Sequence, residues 1–481
     1  MNFKTTPLLL AGADILALAI AFCGGYILSD GFSSLVLGRA FQDFTLDKMD
    51  AWLTLYVVQA VSMMLLLASR GHYTQRSPWW EQMKYVVILC FSMMVLAGYV
   101  LYVFKMPFSR LWVGFSFLLL VPVLMVLRQM ARRVALMLGQ WGTDVTIVGG
   151  PENVLETIFA LNSDSYNVYR IKEIHLLGTN TLLDKDALPS SQQGAKQSLA
   201  RTEQFDAIIK KSKSGLFIAA PDESTRLDMA AFMQLAEQYG KDAAFIPPMG
   251  GMSLYGMDVQ HFFGSHTVLL KPKRRVEKPL NRFFKRGLDL VGAGVGLILL
   301  GGPILILAMM IRKDGGKAFY AQERVGRDGK PFKCWKLRSL VPNADVVLKE
   351  LLARDPKAKA EYDADFKLKN DPRITRIGHI IRKTSIDELP QLWNVIKGEM
   401  SLVGPRPIVT KELSYYGKHQ HDYLATKPGL TGLWQVSGRN DTSYAYRVYL
   451  DSWYVAHWSL WTDIVIIVQT VVILVNRKGA Y

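Results

Sequence analysis

The chain has 481 residues, a formal net charge of +16 and a residue content that is half hydrophobic. Its length excludes a single ordinary domain, and its positive mean hydropathy excludes a purely soluble protein. Cys23, Cys90 and Cys334 show no metal-ligand spacing and are too few for a disulfide framework, which fits a reducing compartment.

Residues 7–28 form an apolar run long enough to cross a bilayer, interrupted by Asp14. Ala17-Leu18-Ala19 would suit signal-peptide cleavage. Further apolar runs and a weakly charged start favour a first transmembrane helix instead. Three more spans are expected at 51–69, 85–104 and 111–127. The first connection carries Asp30, Asp43, Asp47 and Asp50 against Arg39 and Lys48; the second carries Arg70, Arg76 and Lys84; Arg128, Arg132 and Arg133 follow the fourth span. Both ends of the bundle therefore face the cytoplasm.

Residues 144–271 alternate strand and helix patterns, with strands at 145–148, 174–177, 215–218 and 244–246 and a helix at 227–240. This predicts a doubly wound, Rossmann-like unit. Its Gly149-Gly150-Pro151 turn lacks the G-x-G-x-x-G spacing, so a structural or regulatory role is preferred over a bound nucleotide.

A basic stretch follows, with Lys271, Lys273, Arg274, Arg275, Lys278, Arg282, Lys285 and Arg286. Ahead of an apolar run, such a cluster is read as contacting anionic lipid headgroups. The apolar run, 287–311, has basic residues at both ends and Gly302-Pro303 inside it. Both ends favour the cytoplasmic side, and Pro303 removes a helix hydrogen bond. A re-entrant helix that breaks at Gly302 and Pro303 satisfies both.

The remainder reads as a mainly helical cytoplasmic catalytic domain. Residues 319–338 predict a hairpin turning at Asp328-Gly329, 342–368 are helix-prone, and 377–383 form another helix. The apolar run 460–475 holds Asp463 and Gln469 and is expected to lie at the interface or pack on the domain. The parts are thus 1–140, a four-span transmembrane bundle; 141–272, the Rossmann-like α/β domain; 273–313, the basic linker and re-entrant membrane helix; and 314–481, the catalytic domain.

The chemistry concentrates at Ser385-Ile-Asp387-Glu388-Leu-Pro390. Ser385-x-x-Glu388 matches a capping box, which predicts a helix starting between Ser385 and Asp387. Leu389, Leu392, Trp393 and Ile396 would form its apolar face, and Gly398 would end it. Arg373, Arg376, Arg382, Lys383 and Arg406 cluster around the acids in sequence and would keep them ionised. An ionised Asp can attack phosphorus directly, an adjacent Glu can hold Mg2+, and Arg offers forked donors to phosphate.

Five motifs carry a resemblance: Phe284-Lys285-Arg286-x-x-Asp289, Lys336-Leu-Arg338-Ser339, Arg382-Lys-Thr-Ser-Ile-Asp387-Glu388-Leu-Pro-Gln-Leu, Ser401-Leu-Val-Gly-Pro-Arg406-Pro and Pro428-Gly429-Leu-Thr-Gly432. From about residue 281 onward the chain resembles the bacterial polyisoprenyl-phosphate hexose-1-phosphate transferases, the monotopic phosphoglycosyl transferases, in their long form. The resemblance implies that Asp387 attacks the sugar-linked phosphate of a UDP-sugar, releases UMP and passes the phosphosugar to undecaprenyl phosphate. It also implies that Asp387 and Glu388 hold Mg2+, and that Arg382, Arg406, Arg338 and Arg439 bind phosphate. The break is often Ser-Pro in the family and here is Gly302-Pro303. The expected setting is the bacterial inner membrane, with the catalytic domain at the cytoplasmic face of an anionic bilayer, a homodimer, and no nucleic acid partner. Galactose is the expected sugar, with glucose as runner-up. A membrane scaffold that binds a nucleotide sugar without reacting is the alternative of a different class.

Overall fold

The computed structural model describes residues 6–36, 38, 46–74, 78–105, 110–163, 169–184, 194–200, 204–212, 214–223, 225, 228–247, 257–261, 268–272, 279–313, 315–355, 359, 371–437 and 444–476. The chain divides into two compact units, Met1–Met252 and Ser253–Tyr481.

The first unit opens with four helices, α1 (Thr6–Val36), α2 (Leu46–Ser69), α3 (Trp79–Val103) and α4 (Arg110–Met137), where the four spans were expected. Among the described residues, α1, α3 and α4 are long and apolar enough to cross a membrane, whereas the apolar part of α2 is the shorter Leu53–Ser69. Outward side chains such as Leu16, Val95 and Leu118 are exposed, as lipid-facing positions require.

Asp14, which interrupts the first apolar run, is fully buried by α4. Arg128 Nε and Nη2 donate to its two oxygens at 2.7 and 2.6 Å, and the Tyr73 hydroxyl donates to it at 2.7 Å. A buried pair is costly to break because one charge is left alone. Arg128→Met should destabilise the detergent-solubilised chain by about 3–5 kcal/mol. Adding Asp14→Leu should restore most of that loss in thermal unfolding; no recovery would refute the pairing.

A five-stranded sheet follows, built from β1 (Thr143–Gly149), β2 (Tyr169–Leu176), β3 (Lys196–Leu199), β4 (Leu216–Ala220) and β5 (Asp242–Phe245). Every strand pair is parallel and the order is β3-β2-β1-β4-β5, the doubly wound arrangement that the βα alternation predicts. β3 lacks a hydrophobic pattern (Lys-Gln-Ser-Leu) and was not expected; α6 (Phe205–Lys211) and α7 (Met229–Gln238), the latter within the helix expected at 227–240, flank β4 in sequence. At the glycine turn, Asp222 accepts from the backbone N–H of Glu152 and Asn153 at 3.2 and 2.8 Å, at the start of α5 (Pro151–Ser163). A Cβ on Gly150 would fall 2.1 Å from Asp222 Oδ2. The chain's own carboxylate therefore occupies the end of α5 that would otherwise favour a phosphate.

The second unit begins earlier than the expected boundary at 272, with the antiparallel pair β6 (Met257–His261) and β7 (Val268–Pro272). Lys273, Arg274, Arg275 and Lys278 lie outside the described residues. Helix α8 (Pro279–Arg312) then runs through Gly302 and Pro303 without ending there. Pro303 has no N–H, so one rung of the helix ladder is missing. One stripe of α8 is buried: Ala293 packs with Leu392 and Cys334, and Ile304, Ala308 and Ile311 pack with Leu337 and Ile381. Elsewhere Val291, Ile298, Leu299, Leu305 and Met309 are exposed.

The predicted hairpin is β8 (Phe319–Val325) and β9 (Pro331–Leu337), antiparallel throughout. Asp328 and Gly329 have φ of 58° and 75°, the positive values that a tight hairpin turn selects. Helices α9 (Ala344–Arg354) and α10 (Arg376–Lys383) follow. Thr375 caps the latter by accepting from Gly378 N–H at 2.9 Å.

Candidate active site

Asp387 and Glu388 stand in a single 3-10 turn, Ile386–Glu388, before α11 (Gln391–Lys397). The expected capping box does not form. Ser385 has φ 56°, a left-handed conformation, and its side chain caps nothing. Pro390 has no N–H to donate, so the regular ladder starts only after it. The expected apolar face also changes: Leu392 and Val395 are buried, but Trp393 is exposed. Gly398 ends the helix as expected, at φ 84°.

The turn is held rigid from both sides. Buried Asn394 donates to Lys333 O at 2.7 Å and accepts from Trp335 N–H at 3.1 Å, which ties α11 to β9. Arg286 of α8 donates to the carbonyls of Val395 and Ile396, both at 2.7 Å, and so satisfies the helix's open C-terminal end. Lys285 Nζ lies 2.7 Å from buried Asp463. These two basic residues, expected to face lipid headgroups, thus point into the protein, because buried acceptors await them there.

β10 (Ser401–Val403) pairs in parallel with β11 (Gly429–Thr431) and leads to Arg406. Asp289 of α8 accepts from Ser401 Oγ and Leu402 N–H at 2.9 and 3.0 Å. Val403 O accepts from Lys285 and Tyr454. After α12 (Gln420–Ala425), α13 (Leu433–Val436) and α14 (Tyr444–Ala456), the run 460–475 forms α15 (Leu460–Asn476), whose Asp463 and Ile466 are fully buried beside Val403 and Tyr454. It packs on the domain.

A cavity beside the acids is lined by Arg324, Lys336, Glu388, Gln391, Arg406 and Gln435, among others. Lys336 Nζ lies 2.6 Å from Glu388 Oε1. Burial raises the Glu388 carboxyl, but Lys336 and Arg406 outweigh it and hold it below the usual range. Asp387 goes the other way. Burial and the neighbouring Glu388 push it up to about 6, against the opposing pull of Lys336 and Arg382. The basic shell therefore does not keep Asp387 as acidic as its sequence neighbours suggested. It is still ionised above about pH 6. Burial lifts the Cys334 thiol to about 11, so the cavity's sulfur stays protonated and is no nucleophile.

Of the predicted phosphate residues, Arg406 lines the cavity and lies over the Trp434 ring, 5.6 Å from its centroid. Arg382 Nε donates to Ser339 Oγ at 2.8 Å, and the charge of Arg382 acts on Asp387. Arg338 is turned elsewhere: its nitrogens donate to the carbonyls of Lys317, Leu340 and Ile311 at 2.7, 2.8 and 3.2 Å. It fastens the end of α8 to the hairpin, a role that three converging backbone carbonyls select. Arg439 lies outside the described residues. Lys336 stood in a sequence motif and Arg324 in the predicted hairpin, but neither was singled out, since only the hairpin's fold brings them to the cavity beside Glu388.

Among the described residues no three His, Cys, Asp or Glu side chains converge as a metal site. The adjacent Asp387 and Glu388 fit Mg2+, which is commonly held by one or two carboxylates together with phosphate oxygens and waters.

A family model described as bacterial sugar transferase matches residues 280–477. The chain is 40% identical over 479 residues to a UDP-galactose-lipid carrier transferase of Erwinia amylovora, covering 98% of this chain and 97% of that one. It is 40% identical over 418 residues to an undecaprenyl-phosphate galactose phosphotransferase of Salmonella typhimurium, covering 85% and 84%. A UDP-glucose:undecaprenyl-phosphate glucose-1-phosphate transferase of Klebsiella pneumoniae is 36% identical over 213 residues, 42% of each chain.

Proposed function

We propose a reaction from one premise: the chain belongs to the bacterial sugar transferases. It moves galactose 1-phosphate from UDP-galactose to undecaprenyl phosphate, an early membrane step of polysaccharide synthesis. The names of the long relatives support galactose; the Klebsiella relative, which matches over less than half of the chain, makes glucose the second reading.

The observation that carries the mechanism is Asp387, fixed on a rigid turn beside a cavity lined by Lys336, Glu388 and Arg406. An Asp387 carboxylate oxygen attacks the sugar-linked phosphorus. The bond from that phosphorus to the bridging oxygen breaks, and UMP leaves with the electron pair. An oxygen of undecaprenyl phosphate then attacks the same phosphorus, displacing the Asp387 carboxylate. Both nucleophiles are already anionic, so neither step needs a strong base. Arg382 and Arg406 hold phosphate oxygens. Asp387 and Glu388 would hold Mg2+, which supplies charge neutralisation when bound.

Mass spectrometry of the chain incubated with UDP-galactose and no lipid tests this reading: a phosphohexose adduct on Asp387 is expected, and its absence in active enzyme would refute covalent catalysis. Since burial and Glu388 push the Asp387 carboxyl up to about 6, the burst of UMP release should rise roughly tenfold per pH unit below that value and level off above it. A burst already constant from pH 5 upward would contradict the assignment.

We read α8 as re-entrant, anchoring the catalytic unit at the cytoplasmic face of the inner membrane. Its buried stripe supports this, since residues on both sides of Gly302-Pro303 pack against the same unit. A straight span could not keep both halves in contact with one water-soluble domain. Cysteine labelling before and after the helix should give the same sidedness. A homodimer is also expected, to be checked by mass photometry in nanodiscs.

A further inference from the structure

The segment after Gly432 leaves polar groups unspent beside the cavity. Among the described residues, buried atoms of Trp434 (Nε1), Gln435 (Oε1) and Arg447 (Nε and Nη2) have no hydrogen-bond partner. Buried polar atoms normally find partners, so this concentration implies something that supplies them. Gln435 lines the cavity itself.

Arg447, on α14 (Tyr444–Ala456), is held firmly yet with free donors. Its guanidinium lies over the rings of Trp434 and Tyr444, 4.7 and 5.2 Å from the centroids. The Glu412 carboxylate lies 3.9 Å from its Nη2 and 4.0 Å from Arg324 Nη1. Those are charge contacts, too long for hydrogen bonds. Arg406 shares the Trp434 ring with Arg447. Arg324, Arg406 and Arg447 thus crowd around Glu412; the other acid that Arg406 and Arg447 act on, Asp451, is buried and already accepts from the Tyr416 hydroxyl, and Glu388 is matched by Lys336. The crowding is felt: burial and the charges of Arg447 and Arg324 lower the Arg406 guanidinium. Such a cluster is unfavourable alone and favourable around a polyanion.

We infer that Arg447 is a substrate-binding residue that takes the phosphate of the departing nucleoside monophosphate. The inference rests on the reaction proposed above and extends its site. Glu388, next to Asp387, lines one cavity with Arg406, and the Trp434 ring lies against both Arg406 and Arg447. A diphosphate laid along them puts the attacked phosphorus at the acids and the second phosphate at Arg447. Gln435 Oε1 accepts from the nucleoside.

The test is titration of UMP into the full chain in nanodiscs by calorimetry, beside kinetics of each half-reaction. Arg447→Gln should weaken UMP binding about tenfold or more and raise KM for the UDP-sugar. Transfer from preformed adduct to undecaprenyl phosphate should also slow, because in-line displacement of Asp387 brings the acceptor phosphate to the place that UMP vacated. Arg447→Lys, which keeps the charge and loses the fork, should fall between the two. UMP binding within twofold of the parent in Arg447→Gln would overturn the assignment. If Arg447→Gln melts lower, Gln435→Leu decides: unchanged UMP binding there would overturn the subsite, and weakened binding would support it. UMP binding is measured without turnover. A chain that binds UMP through Arg447 and forms no adduct would therefore refute the reaction while leaving this subsite standing.

Discussion

Asp387→Asn should abolish the phosphohexose adduct and lower UMP release by roughly 10^3-fold or more, as loss of a covalent nucleophile does. It should do so without destabilising the protein. The Asp387 carboxyl is raised from 3.8 to about 6 on folding, with burial the largest cause. A raised folded value means that the unfolded chain deprotonates first as pH rises. The group's stabilising protonated form is therefore lost between about pH 4 and 6, and at pH 7 the ionised side chain weighs against the fold. A neutral amide of the same shape removes that weight. Asn at this position should leave the melting temperature at pH 7.5 unchanged or higher, and bring no benefit at pH 4. An inactive variant that also melts well below the parent at pH 7.5 would mean that Asp387 is structural, and the nucleophile would have to be sought elsewhere. This opposition between stability and reactivity is what a functional carboxylate in a partly buried site produces.

What was legible in the sequence divides along physical lines. Length and apolarity fixed the positions of the membrane helices, because crossing a bilayer demands both. The βα rhythm predicted the parallel sheet, and Asp328-Gly329 predicted the hairpin turn. The stretch around Asp387-Glu388 stood out because two adjacent acids lie amid basic residues, which favour ionised carboxylates and bind phosphate. The errors came where a residue type has several uses. Ser385 looked like a cap by spacing, but its backbone is left-handed, and Pro390 forced the ladder to begin later. Arg338 looked like a phosphate ligand until three carbonyls were seen to take its donors. Lys285 and Arg286 looked like lipid contacts because their buried acceptors are far away in sequence. Lys336 pairs with Glu388 across a separation of 52 residues, for which no local pattern gives a signal.

Lys285→Met should be the most damaging change outside the acids, and its effect should depend on pH. Lys285 Nζ reaches Asp463 at 2.7 Å, Asp289 at 3.5 Å and Val403 O at 3.1 Å. The Asp463 and Asp289 side chains are 0% and 4% exposed, so water cannot replace the ammonium. Leaving buried charge without its partner costs about 3–5 kcal/mol. Some support remains, since Tyr454 and Trp458 still donate to Asp463, and Ser401 still donates to Asp289. Burial already raises the Asp463 carboxyl, and Lys285 is the largest opposing influence. Without Lys285 that carboxyl should rise further and take up a proton in the folded state. The variant should therefore regain stability relative to the parent as pH falls, because its folded state then binds a proton more tightly than its unfolded state. Adding Asp463→Asn should recover part of the loss at pH 7.5. Activity should fall as well, because Val403 leads through Gly404 and Pro405 to Arg406, and β10 would lose the tie from Lys285 to Val403 O and keep only those through Asp289. Thermal unfolding of the full chain at pH 5 and pH 7.5 decides the matter. A deficit that is the same at both values would show that Lys285 acts by packing, and its charge would not be what holds the Arg406 strand in place.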